Sequence, residues 1–288
     1  MTYRTILALV SGQTNDNSAL SVVGDLARRF DAEARVLPSA PDPAESVLRY
    51  EWFGASVMSE EFVAQLEATQ AEILASVEAA ARKAAEAADI PFGLAERGAC
   101  VTLVQPALTF WLTLLNEAPF GDLFVIAREA AIGPAVLSSI FADALMDLRL
   151  PILIANGARP VSGGTAVLAW NGSMEAGRAM RAAMPLLIAA DQVIVAQHKA
   201  GLRWDETDAA VLQRCTGYLG RHGVRKLESL QIEVEADRGA LLQAVKDAGA
   251  DLLVAGAYGH PRWQEFLFGG FTRTLFQDED APHVLVSH

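Results

Sequence analysis

The feature that most constrains the fold is an alternation of short apolar segments with longer segments of helical period. In the second half the apolar segments are TAVLAW, DQVIVAQ, KLESLQIEVE, DLLVAG and HVLVS, with four segments of helical period between them. This alternation is typical of a parallel sheet covered by helices, because parallel strands need long crossover connections. The second half is therefore predicted to form one doubly wound α/β unit with five strands.

The first half of the chain repeats this order of elements. TILALV resembles TAVLAW, DLFVIA resembles DLLVAG, and PILIA resembles PHVLVS, each at the corresponding place. A chain of 288 residues is also long enough for two compact domains. We expect two tandem units, residues 1–158 and 159–288, joined by the Gly- and Pro-containing segment 156–165. The first copy is the longer, since it carries an insertion at 38–58 and then a long alanine-rich helix.

The charge balance limits the partners that this chain can have. The sequence has 23 Lys and Arg against 35 Asp and Glu, a formal net charge of -12, which repels nucleic-acid phosphates and anionic headgroups. No apolar run approaches the ~20 residues of a membrane span. The N-terminal segment is read as a strand rather than a signal peptide. We therefore expect a cytoplasmic protein that binds neither nucleic acid nor membranes.

Glycines are concentrated after the segment DLLVA, in GAYGHPRWQEFLFGGFTRTL. Gly256 ends the strand, Gly259 follows it, and Gly269 and Gly270 precede the next helix, which places unhindered amides at a helix N-terminus. Such a place holds phosphate oxygens well. Glycines after a strand also serve tight turns alone, so both interpretations stand at this point.

A second group of polar residues is expected across a crevice from these glycines. Ligands of open parallel sheets bind beyond the carboxyl ends of the strands, where the connections diverge to opposite faces. The first and fourth strands of a copy flank that crevice, so Asn171 should face the glycine-rich segment. Thr272 can supply a hydroxyl to a ribose or phosphate, and Arg262 is the nearest side chain able to screen phosphate charge.

The glycine spacing resembles that of a known family. GAYG, nine residues and then GGFT is similar to the Gly-x-x-Gly, nine residues, Gly, Ser/Thr signature of universal stress proteins, and DLLVAGAYGH and APHVLVS resemble segments of that family. Tandem copies are a known form of the family, so the resemblance covers nearly the whole chain. It implies Rossmann-like five-stranded units of strand order 3-2-1-4-5 with helices on both faces. In one branch of the family it also implies binding of ATP or another adenine nucleotide.

Carried over by position, the resemblance gives each site residue a role. Asn171 stands where the family usually has an Asp near the adenosine, so it keeps a hydrogen-bonding oxygen and loses the charge. Gly270 occupies the usual Ser position, which keeps a close backbone approach and removes a hydroxyl. Thr272 would lie beside the phosphates. The residues implied as phosphate contacts are Gly256, Gly259, Gly269 and Gly270.

The first copy lacks this signature. After DLFVIA the segment REAAIGPAVLSSIFADAL has Gly133 as its single glycine, and Arg128 and Glu129 would crowd the path of a phosphate. We predict that this copy binds no nucleotide and serves as a packing and regulatory partner.

The last strand of each copy is apolar and carries little charge, so leaving both edges exposed would favour aggregation. We predict that they pair with each other, along Ile152 to Ile154 and Val284 to Val286, in an intramolecular pseudo-dimer. A further homodimer is left open.

No residue pattern predicts a dedicated catalyst or a metal site. The five histidines lack metal-ligand spacing, no nucleophile has a recognisable partner, and Cys100 and Cys215 are interpreted as buried thiols. We expect a stress-response protein in which an adenine nucleotide, with any Mg arriving on its phosphates, acts as a regulatory switch with at most slow ATP hydrolysis. One alternative is a nucleotide-free scaffold with both sites degenerate, and another is an enzyme of adenylyl transfer or redox chemistry, for which no motif is present.

Overall fold

The computed structural model describes residues 2–40, 60–95, 97–107, 109–132, 135–157, 159–198, 208–232, 239–257 and 281–288. By their internal contacts the residues fall into an N-terminal unit, 4–127, and a C-terminal unit, 1–3 with 128–288. This division differs from the division into repeats, because the end of the first copy groups with the C-terminal unit. The copy boundary at residue 158 remains a prediction.

The N-terminal unit contains a parallel sheet and three α-helices among its described residues. The strands are β1 (Thr5–Val10), β2 (Glu33–Pro38), β3 (Cys100–Leu103) and β4 (Leu123–Ala127). The helices are α1 (Asn17–Phe30), α2 (Glu60–Ala87) and α3 (Phe110–Glu117), and single 3-10 turns lie at Thr14–Asp16 and Ala118–Phe120. The strands run parallel in the order β3-β2-β1-β4, which is the order expected for the first four strands of a copy.

The C-terminal unit contains the other described strands and helices. Its strands are β5 (Ile152–Ala155), β6 (Thr165–Trp170), β7 (Gln192–His198), β8 (Leu227–Ile232), β9 (Leu252–Gly256) and β10 (His283–Ser287). Its helices are α4 (Arg128–Ile132), α5 (Ala135–Met146), α6 (Met174–Ala182), α7 (Met184–Ala189), α8 (Asp208–Arg221) and α9 (Gly239–Asp247). The order is β5-β10-β9-β6-β7-β8. The five parallel strands of the second copy thus have the expected order 3-2-1-4-5.

The central strands are covered on both faces of the sheet. Every residue of β4, β5 and β10 is buried, and so are the four central residues of β6. Because successive side chains of a strand point to opposite faces, burial of consecutive residues requires cover on both sides. The predicted α/β class with helices on both faces is confirmed.

The last strands of the two copies pair with each other, as predicted. β5 and β10 are antiparallel, and Ile154, Leu153 and Ile152 lie opposite Val284, Leu285 and Val286. All of these side chains are buried. The pairing therefore covers two apolar edges that would otherwise invite other strands. A pseudo-twofold arrangement and a homodimer remain predictions.

A buried histidine ties the end of β5 to the start of β10. The Asn156 backbone N–H donates to His283 Nδ1 at 3.1 Å, and His283 Nε2 lies 2.9 Å from the Arg159 carbonyl. Since a carbonyl only accepts, the proton of this ring sits on Nε2 and the imidazole is neutral. The Asn156 side chain donates to the Ala281 carbonyl at 2.7 Å. The segment predicted as a linker is therefore hydrogen-bonded to the last strand at its start.

The long helix α2, predicted as alanine-rich, buries only a narrow face among its described side chains. Phe62 near its start is 38% exposed, and the buried residues are Val77, Ala81 and Ala85 in the second half. Small residues face α1 in this half. A Cβ added to Gly24 of α1 would lie 3.0 Å from the Cβ of Ala88, the residue that follows α2. The helix therefore packs through close backbone approach.

Candidate functional site

Two of the predicted site residues lie at the carboxyl ends of neighbouring strands. Asn171 follows β6 and Gly256 ends β9, and these two strands are parallel partners from Ala166 opposite Leu252 onward. This is where the strand order of the second copy reverses, as predicted for a ligand crevice. The other predicted site residues lie outside the described residues; they are Gly259, Arg262, Gly269, Gly270 and Thr272.

The turn after β6 is built by its own side chains. Asn171 Oδ1 accepts from the Ser173 N–H at 3.0 Å, and Gly172 has φ of 72°. Ser173 Oγ then accepts from the Ala176 N–H at 3.1 Å and caps α6. The Asn171 oxygen, which the resemblance places near an adenosine, is thus used to shape the turn. A neutral amide does this as well as a carboxylate, because both oxygens accept a hydrogen bond.

Gly256 allows close contact between the end of β9 and the start of α6. A Cβ at this position would lie 2.6 Å from the Glu175 carbonyl carbon and 2.9 Å from Ala176 Cα, both backbone atoms. Real Cβ atoms do not approach so closely, so the helix could not sit here if residue 256 had a side chain. Packing alone therefore requires this glycine, and its predicted contact with a phosphate stays a prediction.

The residue after Gly256 belongs to the sheet. The Ala257 N–H donates to the Ser287 carbonyl at 2.9 Å, and the Ala257 carbonyl accepts from His288 Nδ1 at 3.1 Å. This amide is therefore not available to a ligand. The Ala257 amide is thereby excluded as an anion contact, and the predicted contacts of Gly256, Gly259, Gly269 and Gly270 stay predictions.

Buried polar atoms without partners lie at the carboxyl ends of β6 and β7. Gln197 has no exposed surface, and neither Nε2 nor Oε1 of its side chain has a hydrogen-bond partner. Trp170, its register partner on β6, buries an indole Nε1 that is likewise unpaired. In the first turn of α6, Glu175 Oε2 is also buried and unpaired. The sequence analysis does not predict a role for these three residues. The one sequence signal that could have indicated them is the Gln at the end of the apolar segment DQVIVAQ.

The corresponding turn of the first copy is filled by an acidic side chain of the chain itself. Gly12, after β1, has φ of 80°, close to the value at Gly172. Here the Asp16 carboxylate accepts from the Ser11 N–H at 2.8 Å and from the Gln13 N–H at 3.0 Å. Asp16 is only 5% exposed, and burial raises the pKa of its carboxyl although these hydrogen bonds lower it. The amides of this turn already donate to a carboxyl group of the chain itself, which supports the prediction that the first copy binds no nucleotide.

The cysteines are free and buried, as predicted. Burial raises the pKa of the Cys215 thiol to about 12, and its sulfur lies 3.9 Å from Met180 Sδ. Within the described ranges, no group of three or more His, Cys, Asp or Glu side chains could hold a metal ion. None of the described helices is both long and apolar enough to cross a membrane.

No protein-family model matches the sequence, and no curated protein matches it. A universal stress protein from Archaeoglobus fulgidus DSM 4304 aligns with 98% of this chain and 95% of its own, at a TM-score of 0.63 and 14% identity. A functionally unknown protein from Pseudomonas aeruginosa PAO1 aligns with 99% of this chain and 92% of its own, at a TM-score of 0.50 and 15% identity. A universal stress protein in complex with cAMP matches 43% of this chain and 96% of its own, at 24% identity and a TM-score of 0.34, which is too low to argue from. The chain therefore has the fold of universal stress proteins.

Proposed function

We propose that the second copy, residues 159–288, binds an adenine nucleotide as a regulatory switch in a stress response, with little or no catalysis. The observation that carries this proposal is the geometry at the reversal of the strand order. There the Asn171–Gly172 turn and the end of β9 at Gly256 lie at the same edge of the sheet. Ligands of open parallel sheets bind at such a point. The glycine spacing beyond Gly256 then supplies the phosphate-binding amides.

The described residues suit the uncharged part of a nucleotide. Buried polar groups are nearly always hydrogen-bonded in proteins, so the unpaired atoms of Trp170 and Gln197 call for a partner. A base or a ribose offers both donors and acceptors. In this proposal the phosphates bind farther along the chain, with Mg as their counter-ion. The phosphate contacts proposed there are Gly259, Arg262, Gly269, Gly270 and Thr272.

The proposal is tested by looking for nucleotide that remains bound through purification. Protein that is denatured after purification should release an adenine nucleotide detectable by mass spectrometry. Added ATP, ADP or AMP should raise the melting temperature, because a ligand that binds only the folded state stabilises it by mass action. The absence of both results would contradict nucleotide binding.

Glycine variants show whether the stabilisation depends on the predicted loop. Gly259→Val and Gly269→Val should abolish the shift with nucleotide, since a side chain blocks the approach of phosphate to the amides. Gly220→Val is the matched control, because Gly220 is exposed in α8 and a Cβ there would meet no atom within 4 Å. The control should keep the full shift. An unchanged shift in the two loop variants would place the ligand elsewhere.

A second candidate function is that of a protein-interaction scaffold, which an exposed apolar cluster in the N-terminal unit favours. Leu112 and Leu115 on α3 are 41% and 37% exposed, and Phe120 in the turn after α3 is 65% exposed. Exposed apolar side chains grouped in this way mark contact surfaces on many proteins. If this cluster is a contact surface, Leu115→Glu should lower the apparent mass in solution or the capture of a partner. An unchanged mass and partner set would argue against it.

A further inference from the structure

The side-chain amide of Gln197 is the least satisfied polar group in the described part of the C-terminal unit. Both of its hydrogen-bonding atoms are buried and without a partner, on a residue with no exposed surface. Removing a polar group from water without replacing its hydrogen bonds is unfavourable. An apolar side chain of similar size at this position would avoid that loss. The amide therefore needs an explanation other than packing.

The register places this amide in a row across the carboxyl end of the sheet. Gln197 lies opposite Trp170 on β6 and opposite Gln231 on β8. Side chains in register on parallel strands point to the same face, about 4.8 Å apart. Gln231 is exposed. The row therefore extends from an exposed side chain to the buried amide over one strand spacing.

The chemistry of the row fits a planar ring with polar edges. A glutamine amide offers one donor and one acceptor side by side, and can form two hydrogen bonds to the amino group and adjacent ring nitrogen of adenine. The indole N–H of Trp170 is a donor only, and suits a further ring nitrogen or a ribose oxygen. Neither side chain carries a charge, so the row is poorly suited to phosphate.

We propose that Gln197, together with Trp170, reads the base of the bound nucleotide and is the specificity-determining residue of the site; this inference rests on the proposed function. The base replaces the missing hydrogen bonds of the amide. The ligand-free protein is correspondingly destabilised by leaving them unmade.

The inference predicts opposite changes in stability and affinity. Gln197→Met keeps the approximate volume and removes both polar atoms. It should raise the urea midpoint of the ligand-free protein and weaken binding of ATP and adenosine at least about tenfold, because each lost hydrogen bond to a buried group is expected to weaken binding by a factor of several. Binding of tripolyphosphate, which has no base, should not change. Trp170→Phe, which removes only the indole N–H, should weaken ATP and adenosine binding several-fold.

Calorimetric titration of the full chain with ATP, adenosine and tripolyphosphate is the measurement. The matched control is Gln192→Met, which makes the same change at the opposite end of β7, where the side chain accepts from Lys226 Nζ at 2.9 Å; it should leave all three affinities unchanged. If wild type and Gln197→Met bind ATP equally, the inference is wrong and the proposed function stands. If the wild type binds none of the nucleotides, the proposed function fails and the inference fails with it.

Discussion

Gly256 provides a strong test of the packing between β9 and α6. In the Gly256→Ala variant the new methyl would stand 2.6 Å from the Glu175 carbonyl carbon and 2.9 Å from Ala176 Cα. Carbon atoms in contact are usually about 3.5–4.0 Å apart, so the overlap is roughly 0.6–1.4 Å. The obstacle is helix backbone rather than the end of a flexible side chain, so α6 or β9 has to move.

The expected loss of stability in Gly256→Ala can be estimated. Adding one methyl to a well-packed site usually costs about 1–3 kcal/mol, and a clash with backbone belongs at the upper end, about 2–3 kcal/mol. For a unit of this size that corresponds to a fall in melting temperature of roughly 4–12 °C. The backbone at Gly256 is not left-handed, since it is absent from the glycines with positive φ. The whole effect is therefore steric.

The assay is thermal and urea unfolding of the ligand-free protein, followed by circular dichroism. Gly220→Ala is the control, because a methyl there meets nothing within 4 Å and alanine favours a helix over glycine by about 0.5–1 kcal/mol. We expect the control to be neutral or slightly stabilised. A Gly256→Ala protein that unfolds within about 0.5 kcal/mol of wild type would show that the close approach of α6 is not as described.

Two further predictions concern the titratable groups. Burial raises the pKa of the Asp16 carboxyl in the folded chain above its ordinary value of 3.8. The contribution of the bound proton to the free energy of unfolding is therefore fully present below pH 3.8 and is lost as the pH rises through the folded pKa. The urea midpoint of Asp16→Asn minus that of wild type should therefore increase with pH from about 4 upward and then level off. A difference between the two midpoints that does not depend on pH would contradict this. Because the pKa of Cys215 is raised to about 12, a thiol reagent at about pH 8 should leave it unmodified in the folded protein and modify it in urea, and rapid modification without denaturant would contradict its burial.

Much of the fold could be predicted from the sequence, because the same alternation of apolar and helical segments occurs in both halves of the chain. The strand order of the second copy and the pairing of the last strands were expected, the latter because PILIA and HVLVS carry little charge to discourage pairing. The grouping of residues 128–158 with the C-terminal unit was not expected. The pairing of β5 with β10 was itself expected, but local patterns do not show how the contacts of the whole chain divide it into compact units.

The candidate site was predicted less completely, because its determinants act between distant parts of the chain. The sequence indicates a role for Gly256, but the backbone that excludes a side chain there belongs to Glu175 and Ala176, some eighty residues earlier. Asp16 has no sequence signal of its own, because its role depends on the backbone amides of Ser11 and Gln13 that only the folded turn brings to it. A Gln at the end of an apolar segment has no distinguishing local pattern, and only the complete burial of Gln197 sets it apart.

The pairing of β5 with β10 has a consequence for biosynthesis. Asn156 and His283, at the joined ends of these strands, are 127 residues apart. At typical elongation rates the ribosome needs roughly 6–25 seconds to make that length of chain. During this interval the uncharged edge ILIA lacks its β10 partner, while the four strands described in the N-terminal unit have already been made. Because an uncharged unpaired edge can pair with other strands, the wait for β10 is a stage of synthesis at which this chain is open to aggregation.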